Sequence, residues 1–382
     1  MLSFIKDFEK QVEKMDGVAS NSEPPRYWFH TGNYAMNYVL SGNCRFAIPQ
    51  GRVIGLAGPS SSGKSFVQCN ITREAQKGYV TPDGVIHNAP GDGAYVLMID
   101  SENSLDDDFV SKIGVNVDKS VYNYKSVVTI SNTIKLISAF ISGYKKTYGT
   151  DPSAPKVLIV IDSLDMLLTE TELSHFESGN NAGDQGQRAK QLKSMLKNFV
   201  QQIKDLNVSI IITHQVYSAT QDQLLKGEGV WVINNAVRYS LSLIALLTRL
   251  KLKDGTDVTG IRMKVSGFKT RFTKPFQDVV IDVPYEDGMD PLSGLCEIFE
   301  AVGILQAAGA YKKIVGTETK FYRRDMGKYL DILFEKFDSL QDKHINIGAN
   351  EEEVIPLETE AALKEKRHNA SRIEAAQKEL SE

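Results

Sequence analysis

The chain has few cysteines, no long apolar run and little net charge. Its three cysteines (Cys44, Cys69 and Cys296) are odd in number and widely separated, which argues against a disulfide framework or a zinc site. We therefore expect reduced thiols and a cytoplasmic protein. No apolar run approaches the roughly 18 residues that a membrane span needs, and the first residues do not resemble a signal peptide. We therefore expect neither a secreted nor a membrane-spanning protein.

The net charge of −4 comes from the last part of the chain. Residues 351–382 hold nine acidic and five basic side chains, which equals the whole excess, so residues 1–350 are close to neutral. Overall charge therefore neither supports nor excludes a nucleic-acid partner, and local patches must decide. The 382 residues, 42% of them hydrophobic, are enough for one large domain with smaller terminal pieces.

The N-terminal part predicts a helix and a linker. Apolar residues at helical spacing in 2–15 predict a short helix, and a polar link follows, so residues 1–26 form one segment. This helix either packs on its own core or acts as an arm that docks on a neighbouring subunit and supports polymerisation. The residues leave both open.

The body alternates short β-branched runs with helical patterns. Strands are predicted at 52–57, 94–100, 156–162 and 208–214, and helices at about 63–77, 127–146 and 187–205. This alternation indicates an α/β fold with a mainly parallel sheet covered by helices on both faces.

A change of pattern after residue 235 predicts an antiparallel extension of that sheet. The expected strands are 239–249, 260–266 and 276–283, with a turn at Asp254-Gly255. We assign residues 27–289 to the core and 290–349 to a small mixed C-terminal segment. Residues 350–382 are expected to be a charged tail, mobile or a lone helix.

The most informative motif is the phosphate loop that follows the strand at 52–57. It consists of Gly58, Pro59, Ser60, Ser61, Ser62, Gly63, Lys64 and Ser65. The glycines let backbone N–H groups face a phosphate, the lysine adds a charge for the β- and γ-phosphates, and the last hydroxyl is a Mg²⁺ ligand. We expect these eight residues and the following Phe66 to bind a nucleoside triphosphate.

Polar residues end the other predicted strands, at the edge where ligands of parallel sheets bind. Asp162 ends an apolar run and is expected to orient Mg²⁺. Glu102 is a candidate to deprotonate the attacking water, whereas its neighbour Asp100 is equally suited to capping the next helix. His214 and Gln215 end another strand, where they either sense the γ-phosphate or form a satisfied polar terminus.

A series of motifs in fixed order resembles the RecA-type recombinases, most closely the UvsX branch of T-even-like phages. The motifs, within about 28–325, are GPSSSGKS, IDSENSLDDDFVSKIGV, VIDSLDML, ITHQVY, NNAVRY, GFKTRFTKPF and EIFEAVGILQAAGAY. The resemblance implies a RecA-like ATPase core and single-stranded-DNA-dependent hydrolysis of ATP with Mg²⁺. It also implies helical filaments on single-stranded DNA, with ATP between protomers, that pair the strand with homologous duplex DNA.

The resemblance also implies roles for individual residues. Glu102 falls at the position of the catalytic base, and Asp106 and Phe109 fall where the adenine is contacted. Gln215 aligns with the γ-phosphate sensor, and a shift of one residue would give that role to His214. The basic pair Lys269 and Arg271 matches the pair that reaches the ATP of the next subunit.

Two loops are expected to contact DNA. The first spans about 168–187 and is predicted to lack regular structure. The helix behind it carries Arg188, Lys190, Lys193 and Lys197, which either contact phosphates or form a solvated face.

The second loop spans about 216–234. Its Lys226 could meet phosphate, whereas Leu224, Leu225 or Trp231 could insert between bases or simply pack. Arg238 aligns with a basic position behind the loop, and Asn234 replaces a glycine that such loops often have.

Two rival functions share this ATPase core. One is a hexameric helicase, and the other is an ATP-switched coat for single-stranded DNA without pairing activity. The recombinase interpretation adds single-strand-binding and loader proteins as possible partners and predicts no association with a membrane. It places the protein in the cytoplasm of a bacterium or of a phage-infected host.

Overall fold

The computed structural model describes residues 3–12, 23–180, 186–219, 231–275 and 277–340. The helices are α1 (Ser3–Val12), α2 (Tyr34–Ser41), α3 (Lys64–Lys77), α4 (Asp107–Lys112), α5 (Ile130–Tyr148), α6 (Glu170–Glu177), α7 (Gln187–Ile203), α8 (Asn235–Ser240), α9 (Leu295–Ala301) and α10 (Leu330–Asp338). Two 3₁₀ helices cover Leu164–Met166 and Arg323–Tyr329. The predicted tail at 350–382 lies outside the described residues.

The strands, in chain order, are β1 (Trp28–Phe29), β2 (Ile48–Pro49), β3 (Val53–Gly58), β4 (Tyr79–Val80), β5 (Ile86–His87), β6 (Tyr95–Asp100), β7 (Tyr122–Ser126), β8 (Val157–Asp162), β9 (Val208–Gln215), β10 (Tyr217–Ser218), β11 (Trp231–Val232), β12 (Leu243–Asp254), β13 (Asp257–Lys269), β14 (Asp278–Pro284), β15 (Leu305–Ala308), β16 (Tyr311–Ile314) and β17 (Lys320–Phe321).

An eight-stranded sheet, in the order β14-β13-β12-β3-β9-β8-β6-β7, forms the centre of the fold. Strands β12, β3, β9, β8, β6 and β7 run parallel, and β13 and β14 continue the sheet antiparallel. The predicted α/β class, a mainly parallel sheet with an antiparallel extension, is therefore confirmed.

Two apolar clusters flank this sheet, because its central strands carry apolar side chains on both faces. One cluster contains Val67 and Ile71 of α3, and the other contains Ile137 of α5 and Leu196 of α7. With both faces covered, ligands meet the sheet at the carboxyl edge of its parallel strands.

The predicted elements agree with the observed ones to within a few residues, with two corrections. The strand expected at 239–249 begins only at Leu243, because α8 occupies the preceding residues. The expected structureless loop at 168–187 contains α6. Thr169 and Glu172 form a capping box that satisfies the first N–H groups of this helix.

The C-terminal segment combines two helices with a three-stranded sheet. Phe299 of α9 and Phe334 and Phe337 of α10 lie in the same apolar cluster as Tyr38 of α2. In the described part of the chain, no helix has both the length and the apolar character to cross a bilayer.

Candidate active site

The loop between β3 and α3 has the geometry of a phosphate cradle. A Cβ atom on Gly58 would lie 2.3 Å from the Ser62 hydroxyl oxygen, so only glycine fits there. Gly63 has a φ of +91°, in the region that favours glycine. Lys64 donates from Nζ to the carbonyl oxygens of Gly58, at 3.0 Å, and Pro59, at 2.9 Å.

A cavity of about 270 Å³ opens beside this loop. It is lined by Ser60, Ser61, Ser62, Gly63, Lys64, Ser65, Phe66, Glu102, Phe109, Asp162 and Gln215. Asp162 and Gln215 end β8 and β9, and Glu102 follows β6, so the carboxyl ends of these three strands meet at this edge of the sheet. Phe109 comes from α4. The structure thus brings together side chains that the sequence predicted separately.

The donor set suits Mg²⁺ bound together with phosphate. Asp162 is 2% exposed and accepts a hydrogen bond from the Thr213 hydroxyl. Burial raises the pKa of Asp162, and the hydroxyls of Thr213 and Ser65 oppose that rise. No described residue donates a hydrogen bond to Asp162 Oδ2. Asp162 and Ser65 could therefore hold Mg²⁺, which usually takes only one or two protein ligands beside phosphates and waters.

Burial and nearby carboxylates act in opposite directions on the pKa of Lys64. Burial lowers the pKa of Lys64, and Asp162, Asp165 and Glu102 raise it. Burial is the larger effect, so the pKa of Lys64 lies below its ordinary value.

Glu102 lies at the cavity and is held by a neighbouring strand end. Its Oε1 accepts a hydrogen bond from the Ser163 hydroxyl at 2.6 Å. Ser163 in turn donates its backbone N–H to the Ser101 hydroxyl at 3.0 Å, so the ends of β6 and β8 orient each other. A carboxylate fixed beside the phosphate cradle is suited to take a proton from water.

Asp100 caps a turn and not the next helix, whose N-cap is Asp106. Its carboxylate is fully buried and accepts backbone N–H groups from Glu102, Ser104 and Leu105, at 2.8, 2.9 and 3.0 Å. The Tyr124 hydroxyl also donates to it, at 3.0 Å. Asp100 thus fixes the turn that carries Glu102.

His214 and Gln215 occupy different surroundings. Gln215 lines the cavity, whereas His214 is 2% exposed and does not appear among the described residues that line it. His214 Nδ1 lies 3.0 Å from Oδ2 of Asp165. The alternation of side chains along β9 explains the difference, because successive residues point to opposite faces.

The two residues expected at the adenine are also separated. Phe109 is 38% exposed and lines the cavity. Asp106 is the N-cap of α4 and accepts the backbone N–H of Phe109 at 2.6 Å. Asp106 therefore orients the helix that carries the aromatic ring, and its contact with adenine stays a prediction.

Lys269 and Arg271 lie away from the cavity of their own chain. Lys269 pairs with Ile244, which is level with Gly55, three residues before the phosphate loop begins. The chain then runs on toward the amino edge of the parallel strands. There, burial lowers the pKa of Arg52, the residue that precedes β3. The charge of Arg271 lowers the pKa of Arg52 further.

The residues expected at DNA are only partly described. Lys226, Leu224 and Leu225 lie outside the described residues. Lys190 is exposed on α7, and Trp231 is half-buried in β11. The guanidinium of Arg188 donates to the carbonyl of Asp165, and that of Arg238 lies 5.6 Å from the centroid of the Phe268 ring.

Sequence reasoning missed two residues of this site, Ser163 and Asp165. Both follow Asp162 within the quoted motif VIDSLDML, and each bonds to a residue at the end of another strand. Their polar character directly after a buried strand was the available signal.

Comparison with known proteins shows the family to which this chain belongs. The model of the RecA N-terminal domain matches residues 6–290. The chain belongs to the RecA family. RecA-family proteins are DNA-dependent ATPases that act in recombination, and at this level the chain is a RecA-family recombinase.

The curated relatives are distant but span most of the chain. Protein RecA of Wolbachia pipientis subsp. Culex pipiens (strain wPip) is 24% identical over 361 residues, 94% of this chain and 89% of that protein. Protein RecA of Chloroherpeton thalassium is 26% identical, over 74% of this chain and 70% of its own. Protein RecA of Streptomyces ambofaciens is 23% identical, over 92% and 88%.

Proposed function

We propose that the chain is a single-stranded-DNA-dependent ATPase that forms helical filaments on single-stranded DNA and catalyses homologous pairing and strand exchange. Its motifs fit the UvsX branch of T-even-like phages, with a role in recombination, repair and recombination-dependent replication. One observation carries the proposal: Lys269 and Arg271 are not among the described residues that line the cavity at the phosphate cradle, and Lys269 lies level with Gly55, toward the amino ends of the parallel strands.

That separation leaves the cavity incomplete in one chain. Phosphoryl transfer needs positive charge to offset the charge that develops on the γ-phosphate. Head-to-tail stacking would bring the basic pair of one protomer to the cavity of the next. Such an interface uses two different surfaces, so it repeats into a ring or a helical filament. ATP then acts as part of the interface.

The side chains at the cavity have distinct proposed roles. Lys64 leaves the carbonyls of Gly58 and Pro59 and binds the β- and γ-phosphates. Glu102, held by Ser163, accepts the proton of the attacking water. Mg²⁺, held by Ser65 and Asp162, supplies positive charge at the phosphates when bound.

Nucleotide sensing would reach DNA through the end of β9. Gln215 is the proposed γ-phosphate sensor because it lines the cavity, and the second loop begins at the next residue. Lys269 donates to the carbonyl of Arg238, in the helix that follows this loop, at 2.6 Å. Gln215 lies at the cavity of its own chain, and Lys269 is proposed to reach the cavity of the next protomer. Both therefore adjoin the second loop.

The N-terminal helix is proposed as a polymerisation arm. Phe4 and Phe8 of α1 lie one turn apart and are 67% and 55% exposed. An exposed apolar pair on a short helix is suited to docking on a neighbouring protomer.

Strand invasion of a supercoiled homologous plasmid by a single strand tests the proposal directly. We expect joint molecules that require ATP, Mg²⁺ and homology. Directional unwinding of a forked duplex without pairing would instead favour a helicase. Coating of single strands without joint molecules would favour the ATP-switched coat. Single-strand-binding and loader proteins remain proposed partners, in the cytoplasm of a bacterium or a phage-infected host.

A further inference from the structure

Asp165 connects the two strand ends that border the cavity. It lies in the 3₁₀ helix Leu164–Met166, directly after β8. Its Oδ2 accepts the backbone N–H of Gln215 at 2.6 Å and lies 3.0 Å from Nδ1 of His214. The carboxylate therefore fixes the backbone of the residue that lines the cavity.

The end of β9 needs this carboxylate because β8 ends first. The described pairing of β8 with β9 stops at Ile161 and Ile212. Beyond that point, Gln215 has β3 on one side, through Gly58, and no described strand on the other. An amide N–H without a partner at a part-buried strand end is costly, and a carboxylate is a strong acceptor for it.

The backbone of Asp165 makes a second connection. Its carbonyl accepts a hydrogen bond from the guanidinium of Arg188, the second residue of α7. Arg188 directly follows the first proposed DNA loop, and Gln215 directly precedes the second. Asp165 therefore contacts the residue that follows the first loop and the residue that precedes the second.

We propose that Asp165 is a positioning residue that holds Gln215 at the γ-phosphate and links its position to both loops. The proposal rests on the proposed function, because it deepens the role given to Gln215. Asp165 is not among the described residues that line the cavity, so it acts through Gln215 and not on the nucleotide. Without Asp165, the cavity would keep its phosphate cradle but lose the fixed backbone of its sensor.

Two substitutions of nearly equal shape test this proposal. Asp165→Asn keeps an oxygen that can accept the Gln215 N–H, whereas Asp165→Leu removes the acceptor and keeps the branched outline of the side chain. We expect the leucine variant to lose roughly tenfold or more in ATP turnover with single-stranded DNA, with its affinity for ATP changed less than about twofold. The asparagine variant should retain most of the turnover.

A matched control is Asp118→Leu, which removes an exposed carboxylate that accepts the backbone N–H of Ser120 at 2.8 Å. It should behave as the wild type. The decisive readout is the ratio of turnover with DNA to turnover without it. This ratio should fall in Asp165→Leu and recover in Asp165→Asn, which a general loss of stability would not produce.

The failure of this inference differs from a failure of the proposed function. If DNA does not stimulate ATP turnover by the wild type, the proposed function fails. The positioning role of Asp165 is then tested by comparing the basal turnover of Asp165→Leu with that of the wild type. If the wild type responds to DNA and Asp165→Leu responds equally, the positioning role is wrong. Asp165→Ala replaces the leucine variant if that does not fold, and failure of both to fold makes Asp165 a structural residue and overturns the proposal.

Discussion

Lys64 donates a hydrogen bond from its Nζ to the carbonyl oxygen of Pro59 in its own phosphate loop, at 2.9 Å. The ammonium therefore occupies the mouth of the cradle and must exchange carbonyl oxygens for phosphate oxygens when a nucleotide binds. Lys64 therefore bonds to the backbone of its own loop before it binds the nucleotide.

The Lys64→Ala variant should lose ATP turnover, because nothing else in the cradle supplies a mobile positive charge to the β- and γ-phosphates. Turnover is measured with and without single-stranded DNA. Lys77→Ala is the matched control, since Lys77 ends the same helix and is 60% exposed beside Glu74. Loss of turnover in both variants would point to a damaged helix and not to a missing phosphate ligand.

The Glu102→Gln variant should bind ATP and hydrolyse it at least ~10²-fold more slowly, because the amide cannot take a proton from water. Ser163 can still donate to the amide oxygen, so the side chain should keep its place. Nucleotide binding and turnover are measured separately. Glu318→Gln, at a carboxylate that is 95% exposed, serves as control. Near-normal hydrolysis by Glu102→Gln would remove the residue from the role of base.

The convergence of Glu102, Asp162 and Gln215 was predictable because it follows from a general property of parallel sheets. Residues at the carboxyl ends of parallel strands must meet at one edge, wherever they lie in the chain. An apolar run followed by a polar residue marks such an end, and this sequence contains it several times. The phosphate loop was predictable from its motif, and most of the central strands were predictable from their apolar runs.

The contacts of Asp165 and the helix α6 were not predictable in this way. The bond from Gln215 to Asp165 spans fifty residues and exists only because β8 ends before β9. Helix α6 lies in a stretch rich in Gly, Asn and Ser, whose composition suggests a loop. A local capping box at Thr169 outweighed that composition. Strand length is settled by packing that no single segment encodes, whereas the Thr169–Glu172 spacing was a local signal for the helix.

His30 should make stability depend on pH. Burial lowers the pKa of His30 to about 4, with smaller effects of Glu74, Lys77 and Arg73, and its Nδ1 accepts the Gly32 N–H at 2.7 Å. The folded state therefore binds this proton less readily than the unfolded chain, whose histidine pKa is 6.5. Its contribution to stability is complete above the unfolded value and is lost as the pH falls toward 4.

The His30→Asn variant removes this titration and keeps an oxygen that can accept the same N–H. Between pH 7 and pH 4, the wild type should lose on the order of 3 kcal/mol more free energy of unfolding than the variant. Urea titrations at several pH values measure both. Parallel losses in the two proteins would show that His30 is not the group responsible.

The trans assignment of Lys269 predicts an assembly defect. Lys269→Ala should stay folded, because the side chain is only half-buried and its hydrogen bond is to the Arg238 carbonyl, yet lose ATP-dependent filaments and most DNA-stimulated turnover. Arg271→Ala should behave similarly. Lys251→Ala, at an exposed lysine on β12, is the control and should form filaments normally. Filaments are measured by electron microscopy and light scattering.

Mixing two inactive variants gives the sharpest form of this test. Lys64→Ala has a defective cradle and an intact Lys269, and Lys269→Ala has the reverse. At random mixing, about one interface in four joins an intact cradle to an intact lysine, so the mixture should recover up to about a quarter of wild-type turnover. Replacing the first partner with the double variant Lys64→Ala/Lys269→Ala removes every complete interface and should abolish the recovery. If the single variants together do no better than apart, Lys269 does not act across the interface, because complementation requires the lysine and the cradle to come from different chains.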